Sequence, residues 1–290
     1  MLDAIKQWIL FIIAVALAVP VANWALAGFE GPHGRDGVPM LLAASPFGAI
    51  IRMLVASAWF GLLAVVTGVL SHRYTGAFVF GFLWIVIAYR TATVEDVLRL
   101  LDGVDRGVRG SFILLAVECF IWALPAAVVT LALGRLAPNR YPDEKGPLAP
   151  VSLQAFGGAC LLGLGLVWLI ARTNLKGQAL GAVIVGLALA VMIVRLARPR
   201  ANGLLLFATP LVVGVVGYLI GAFVMSGGGA RIIAEQRVWA LARPLPIDFI
   251  GAGIAGVSLG IFLARSFGPE EDAPPISTKP AAPPASTASA

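Results

Sequence analysis

The stretch LQAFGGACLLGLGLVWLIA, Leu153 to Ala171, is followed by RTNLKGQ at 172–178 and then by ALGAVIVGLALAVMIVRL, Ala179 to Leu196. Each apolar run falls in the range of roughly 17–25 residues that a helix needs to cross a bilayer core. The connection between them is too short for anything but a turn, and it is basic. In lipid, a helix satisfies every backbone N–H and C=O within its own segment, so the pair reads as a membrane-embedded helical hairpin.

The pattern extends outward in both directions. Further apolar runs cover Ile5–Ala27, Phe47–Leu70, Thr75–Tyr89, Ser111–Leu133, Leu204–Met225 and Ile247–Ala264. With 59% hydrophobic residues, 12% charged and a mean hydropathy of +0.92, the chain cannot present a wettable surface to water on all sides. The expected fold class is therefore all-α: a polytopic integral membrane helical bundle of about eight transmembrane helices. Pro20, Pro125 and Pro210 fall within runs and mark expected kinks.

Residues 1–28 hold the first helix. Trp8 and Trp24 lie about 24 Å apart along it, which suits anchors at the two interfaces. Ala25-Leu26-Ala27 has the form of a signal-peptidase site, and cleavage there would leave seven helices. The length of the run, its continuation past Pro20 and its nearly neutral start favour a retained helix.

Residues 29–134 carry the next three spans, with an amphipathic helix expected near 92–107. There Val94, Val97, Leu98, Leu101 and Val104 recur at three- and four-residue spacing against a charged face. The Pro-rich, charged loop 135–151 separates these from a second set of four spans at 152–266. That set contains a second interfacial amphipathic helix near 230–243, with Ile232, Ile233, Val238, Trp239 and Leu241 opposite Arg231, Glu235 and Arg237. The echo suggests a parallel repeat of four spans plus four. The tail 267–290, rich in Pro, Ala and Ser, has too little apolar content to fold and reads as disordered.

The net charge of +6 comes largely from Lys and Arg near the ends of apolar runs, where they anchor helices to headgroups. The expected partners are membrane lipids and not nucleic acid. Lys and Arg are nearly balanced between the two sides, but the Arg-bearing short loops at 135–145 and 195–200 favour an N-terminus in the cytoplasm of a bacterial-type inner membrane.

Little in the chain points to catalysis. Cys119 and Cys160 lie inside apolar runs and read as buried hydrophobes. His33 and His72, the two histidines, fall in connections, so no metal site, cofactor or catalytic set is expected. Gly256-Val257-Ser258-Leu259-Gly260 spells GxSxG inside a membrane helix, away from the strand-turn-helix elbow that the motif needs. Asp102 to Arg106 lacks the later paired aspartates of a metal-assisted phosphotransfer motif. Gly227-Gly228-Gly229 lacks the Lys of a phosphate loop and reads as a hinge.

Two features remain. Glu118 interrupts SFILLAVECFIWALP, and a carboxylate at mid-bilayer costs about 2.5 to 3.5 kcal/mol, so it needs a partner. Arg52 sits at a similar depth in the second span, measured from the same side of the membrane, and a Glu118–Arg52 contact is expected if the two helices are neighbours. Small residues recurring every four positions form close-packing faces: Ala252, Gly256 and Gly260 in the last span, Gly217 and Gly221 in the one before. These faces serve packing within the chain or, through the last helix, a homo-oligomer or another membrane subunit. The residues favour a non-catalytic membrane subunit or scaffold. The alternative is a small transporter or permease-like protein using the intramembrane carboxylate.

Overall fold

A computed structural model of the chain describes residues 2–31, 37–101, 107–138, 144–225, 229–235 and 238–267. Every regular element among them is helical: α1 Leu2–Leu26, α2 Pro46–Leu70, α3 Arg73–Ala88, α4 Val94–Leu101, α5 Gly107–Leu136, α6 Pro150–Ile170, α7 Lys176–Ala197, α8 Thr209–Val224, α9 Gly229–Ala234 and α10 Pro246–Phe267. Short 3-10 turns occupy Met40–Leu42, Leu205–Ala208 and Ala240–Ala242. Among the described residues seven helices are long and apolar enough to cross a membrane, α8 together with the turn before it being one of them. The protein is an all-α polytopic membrane bundle.

The eighth expected span, α3, has 16 residues. Its length of about 24 Å falls short of a hydrocarbon core of about 30 Å. Protein covers both of its ends: Arg73 and Tyr74 are buried at its start, Ile87 and Ala88 at its finish. The His72 imidazole accepts the Tyr74 N–H at 3.2 Å, so the first turn is capped from within the chain. A helix closed in this way need not reach water.

At the centre stands α10, packed against α3, α5, α7 and α8. A Cβ placed on Gly256 would lie 2.6 Å from the Ile184 carbonyl oxygen, and one on Gly260 2.5 Å from that of Ala188. On another face, a Cβ on Gly81 of α3 would meet the Ala255 nitrogen at 2.6 Å. Ala252, fully buried, belongs to the same packing. The small-residue face of α10 is thus covered by this chain's own α3 and α7. Gly256→Ala is expected to lower the thermal midpoint in detergent, because the colliding atoms are backbone. Gly165→Ala meets nothing within 4 Å and is expected to be neutral or to stabilise by up to about 1 kcal/mol.

Peripheral α1 is 22% buried over its apolar window, against 83% for α10. Ala14, Ala18, Ala22 and Ala25 form its buried stripe, and it packs on α2 and α3. Trp59 donates its indole N–H to the Leu17 carbonyl at 3.0 Å, and Arg90 reaches the Asn23 side-chain oxygen at 2.5 Å. Pro20 and Pro125 lie within unbroken helices. Pro210 lies inside the span Leu205–Val224, as expected, at the first turn of α8, where its missing N–H has no intrahelical role.

An amphipathic helix, α4, forms within the first expected segment. The apolar face of α4 is covered by protein, with Val94, Val97 and Leu98 all buried and α5 and α9 packed against it. The second segment is no single helix. After the short α9, the chain turns inward at Ala240–Ala242, where Leu241 and Ala242 fill the notch left by Gly217 and Gly221 of α8. Pro244 and Pro246 oppose a helix through this stretch, and the Tyr218 hydroxyl donates to the Pro244 carbonyl. Residues 102–106, 139–143, Gly227–Gly228, His33 and the tail from 268 lie outside the described residues.

Part of one half resembles the other in element spacing. Shifting α3, α4 and α5 by roughly 133 positions brings their ends to within about six residues of those of α8, α9 and α10, whereas α1 shifted likewise starts about fifteen residues before α6. The packing follows suit. Each half's third span lies on the other half's last one, α3 on α10 and α8 on α5, while α4 meets α9. One link breaks the match: residues 27–45 join α1 to α2, whereas 171–175 suffice between α6 and α7.

Candidate functional site

Leu115, Cys119 and Trp122, at three before, one after and four after Glu118, form the inward stripe of α5, which turns the carboxylate toward the protein. Glu118 is 2% exposed. It accepts the backbone N–H of Met40 at 3.1 Å, that of Leu41 at 3.0 Å and the Trp122 indole N–H at 3.2 Å. The donors from 40 and 41 come from the link between α1 and α2. Beside the carboxylate lies a void of about 10 Å³, bordered by Phe29, Thr91, Trp122 and Leu245, with room for about one water.

Arg52 takes no part in this site. Its guanidinium stands over the Trp24 ring, 5.3 Å from the centroid, and donates to the Trp24 carbonyl at 3.0 Å. The expected Glu118–Arg52 contact is therefore not formed, although α2 and α5 are neighbours. Ala49, Met53 and Ala56 hold the buried stripe of α2, which rotates Arg52 to the edge facing α1. There the charge stays half-exposed and avoids the cost of full desolvation. Equal depth did not fix equal rotation.

Two further charge clusters went unread in the sequence. At the first turns of α7 and α10, Lys176 lies 2.7 and 2.9 Å from the two Asp248 oxygens, Asp248 also accepts the Leu245 N–H, and Lys176 reaches the Ala92 carbonyl. The signal was present: Asp248 is an acid in the first turn of a helix otherwise apolar almost to its end. Nearby, burial and then the Arg172 charge pull the Arg243 guanidinium below its ordinary value, with Glu95 opposing, and its Nη1 donates to the Ala171 carbonyl at 2.7 Å.

At the opposite end of the bundle, Glu144 of the central loop enters a pocket between the halves. Arg73, at the start of α3, donates to one carboxylate oxygen; Arg195, near the end of α7, stands 3.1 Å from the other, which also accepts the Tyr74 hydroxyl at 2.8 Å. All three charged side chains are about 5% exposed or less.

No family model, no curated protein and no solved structure matches the chain. Function is read from these side chains alone.

Among the described residues no three His, Cys, Asp or Glu side chains group to hold a metal. Cys119 and Cys160 are buried free thiols. The Ser258 hydroxyl donates to the Ile254 carbonyl of its own helix at 3.0 Å, and His72 caps α3. Gly217 and Gly221 receive the 240–242 turn; Ala252, Gly256 and Gly260 receive neighbouring helices. The geometry ties links to helices and half to half.

The partner assignments have a direct test. Glu118→Gln and Arg52→Gln are expected to have additive effects on stability in detergent, within about 0.5 kcal/mol, because they share no partner. Lys176→Met and Asp248→Asn are expected to be non-additive by about 0.5 to 3 kcal/mol. Coupling in the first pair would show that Glu118 and Arg52 communicate after all.

Proposed function

We propose that this protein is a non-catalytic membrane subunit or scaffold. One observation carries the reading: among the described residues, the buried charged side chains Arg73, Glu118, Glu144, Arg195 and Asp248 each pair with groups of this chain. A path for ions or polar solutes needs a hydrated lining of groups left for the passenger. Here the void at Glu118 holds about one water. The closely packed α10 supports a rigid frame over a hinged one.

Purification of the full chain from native membranes in mild detergent, with the stoichiometry of co-purifying proteins, tests the proposal. A fixed-ratio membrane-protein partner is the expected result. The alternative, a small transporter or permease-like protein, rests on the water-sized void against Glu118. A solitary chain whose flux in proteoliposomes is abolished by Glu118→Gln would replace the scaffold reading with that one. In either reading we place the start of α1 in the cytoplasm of an inner membrane, since the basic links α5–α6 and α7–α8 share that side.

A further inference from the structure

Short α3 packs against both α1 and α10, and between them lies a groove of about 480 Å³. That volume is within the roughly 300–1,000 Å³ of pockets that hold small molecules, which are mostly apolar with a few polar groups that fix the ligand's orientation. The polar groups here gather at one level. On α1, Gln7 is followed one turn deeper by Phe11; on α3, Thr75 is followed by Phe78. On α10, which runs the other way, Arg265 gives way to Phe262 one turn further in. The groove is thus polar at the end where α1 begins and apolar toward the membrane interior.

At the polar end, the groups left for a ligand are uncharged. Arg265 already has an interaction within the chain, and the His72 imidazole accepts the Tyr74 N–H. The Gln7 amide and the Thr75 hydroxyl, both half-buried, have no partner among the described residues. Each of these two can donate and accept at once, as an alcohol does. The apolar end has a fixed shape, since Phe11 makes an edge contact with Phe82 at 4.9 Å and a tilted one with Phe78 at 6.1 Å between centroids. Trp8, 66% exposed, opens the wall toward lipid. An apolar slot headed by two neutral donor–acceptor groups complements one class of ligand, an uncharged lipid with a free hydroxyl. We infer that this groove binds a diacylglycerol-type lipid, one acyl chain lying along Phe11, Phe78 and Phe262 and its hydroxyl at the level of Gln7 and Thr75. The site is independent of the scaffold reading.

The test uses the full chain in a neutral detergent, with dioleoylglycerol, its acetate ester or phosphatidylcholine of the same chains added in mixed micelles. Thermal unfolding and native mass spectrometry are the two readouts. Wild-type protein is expected to gain stability from dioleoylglycerol and to retain one such lipid per chain, in preference to the ester, whose hydroxyl is blocked. Gln7→Leu and Thr75→Val are each expected to weaken that retention about fivefold, the roughly 1 kcal/mol of one hydrogen bond, and together to make the alcohol and its ester equivalent. Leu259→Trp, which fills the groove, is expected to abolish retention of both. Undiminished preference for the alcohol in the Gln7→Leu, Thr75→Val double variant would overturn the site, and those two partly exposed positions keep the test decisive if Leu259→Trp does not fold. Equal retention of phosphatidylcholine or of the ester by wild-type protein would overturn it too, because a free hydroxyl would then not be what the groove selects.

Discussion

Glu144→Ala is expected to destabilise the bundle by about 3 to 5 kcal/mol, the usual consequence of removing one partner from a buried ion pair. Here one carboxylate serves two guanidinium groups, so its loss leaves the Arg73 and Arg195 charges facing each other across a site about 5% exposed. The Tyr74 hydroxyl loses its acceptor as well. Because Glu144 lies on the loop between α5 and α6 and its partners on α3 and α7, the damage reaches both halves at once. Thermal unfolding in detergent reads the loss, and limited proteolysis within 135–150 reads release of the loop. Adding Arg195→Met to Glu144→Ala is expected to restore part of the stability, since it removes one of the two stranded charges. A midpoint equal to wild type in Glu144→Ala would show that the cluster contributes nothing net.

The second large effect is expected at Glu118→Ala. Three buried donors lose their acceptor: the N–H groups of Met40 and Leu41 and the Trp122 indole. At about 1 to 3 kcal/mol for each unsatisfied buried group, the total is about 3 kcal/mol or more unless water enters the enlarged void. Glu118→Gln retains one acceptor oxygen but aims an NH2 group at a donor, so an intermediate loss is expected. Hydrogen exchange supplies the discriminating readout. Amides at 40 and 41 are expected to lose protection in Glu118→Ala while those of α5 away from the site keep theirs. Unchanged protection at 40 and 41 would mean that the turn stands without the carboxylate.

Helix placement was legible in the sequence to within a few residues for most spans. Phe47–Leu70 became Pro46–Leu70, where Ser45 accepts the Gly48 N–H and Pro46 takes the first helical position. Ile247–Ala264 became Pro246–Phe267. Lipid forces apolar segments into helices, so length and hydropathy nearly determine these bounds. Depth, however, is one coordinate, and side-chain pairing also needs the rotation of each helix. Arg52 and Glu118 matched in the first and failed in the second. The links were harder still. Val38-Pro39-Met40-Leu41-Leu42 is too apolar for an exposed connection, which was the available hint that it folds back onto α5. Nothing local marks Glu144 as buried, because it sits among Pro, Asp and Lys and its surroundings come from helices far along the chain.

The link between α1 and α2 also bears on how the protein is made. Met40 and Leu41 precede Glu118 by nearly eighty residues, Arg73 precedes Glu144 by about seventy, and Lys176 precedes Asp248 by about as many. Chains are synthesised from the N-terminus and fold in that order. In each cluster at least one donor or cation thus precedes the acid, Met40 and Leu41 for Glu118, Arg73 for Glu144 and Lys176 for Asp248, while Trp122 and Arg195 follow. For Glu118, the carboxylate within a membrane span, this order means that the amides which receive it are already made when it enters the bilayer.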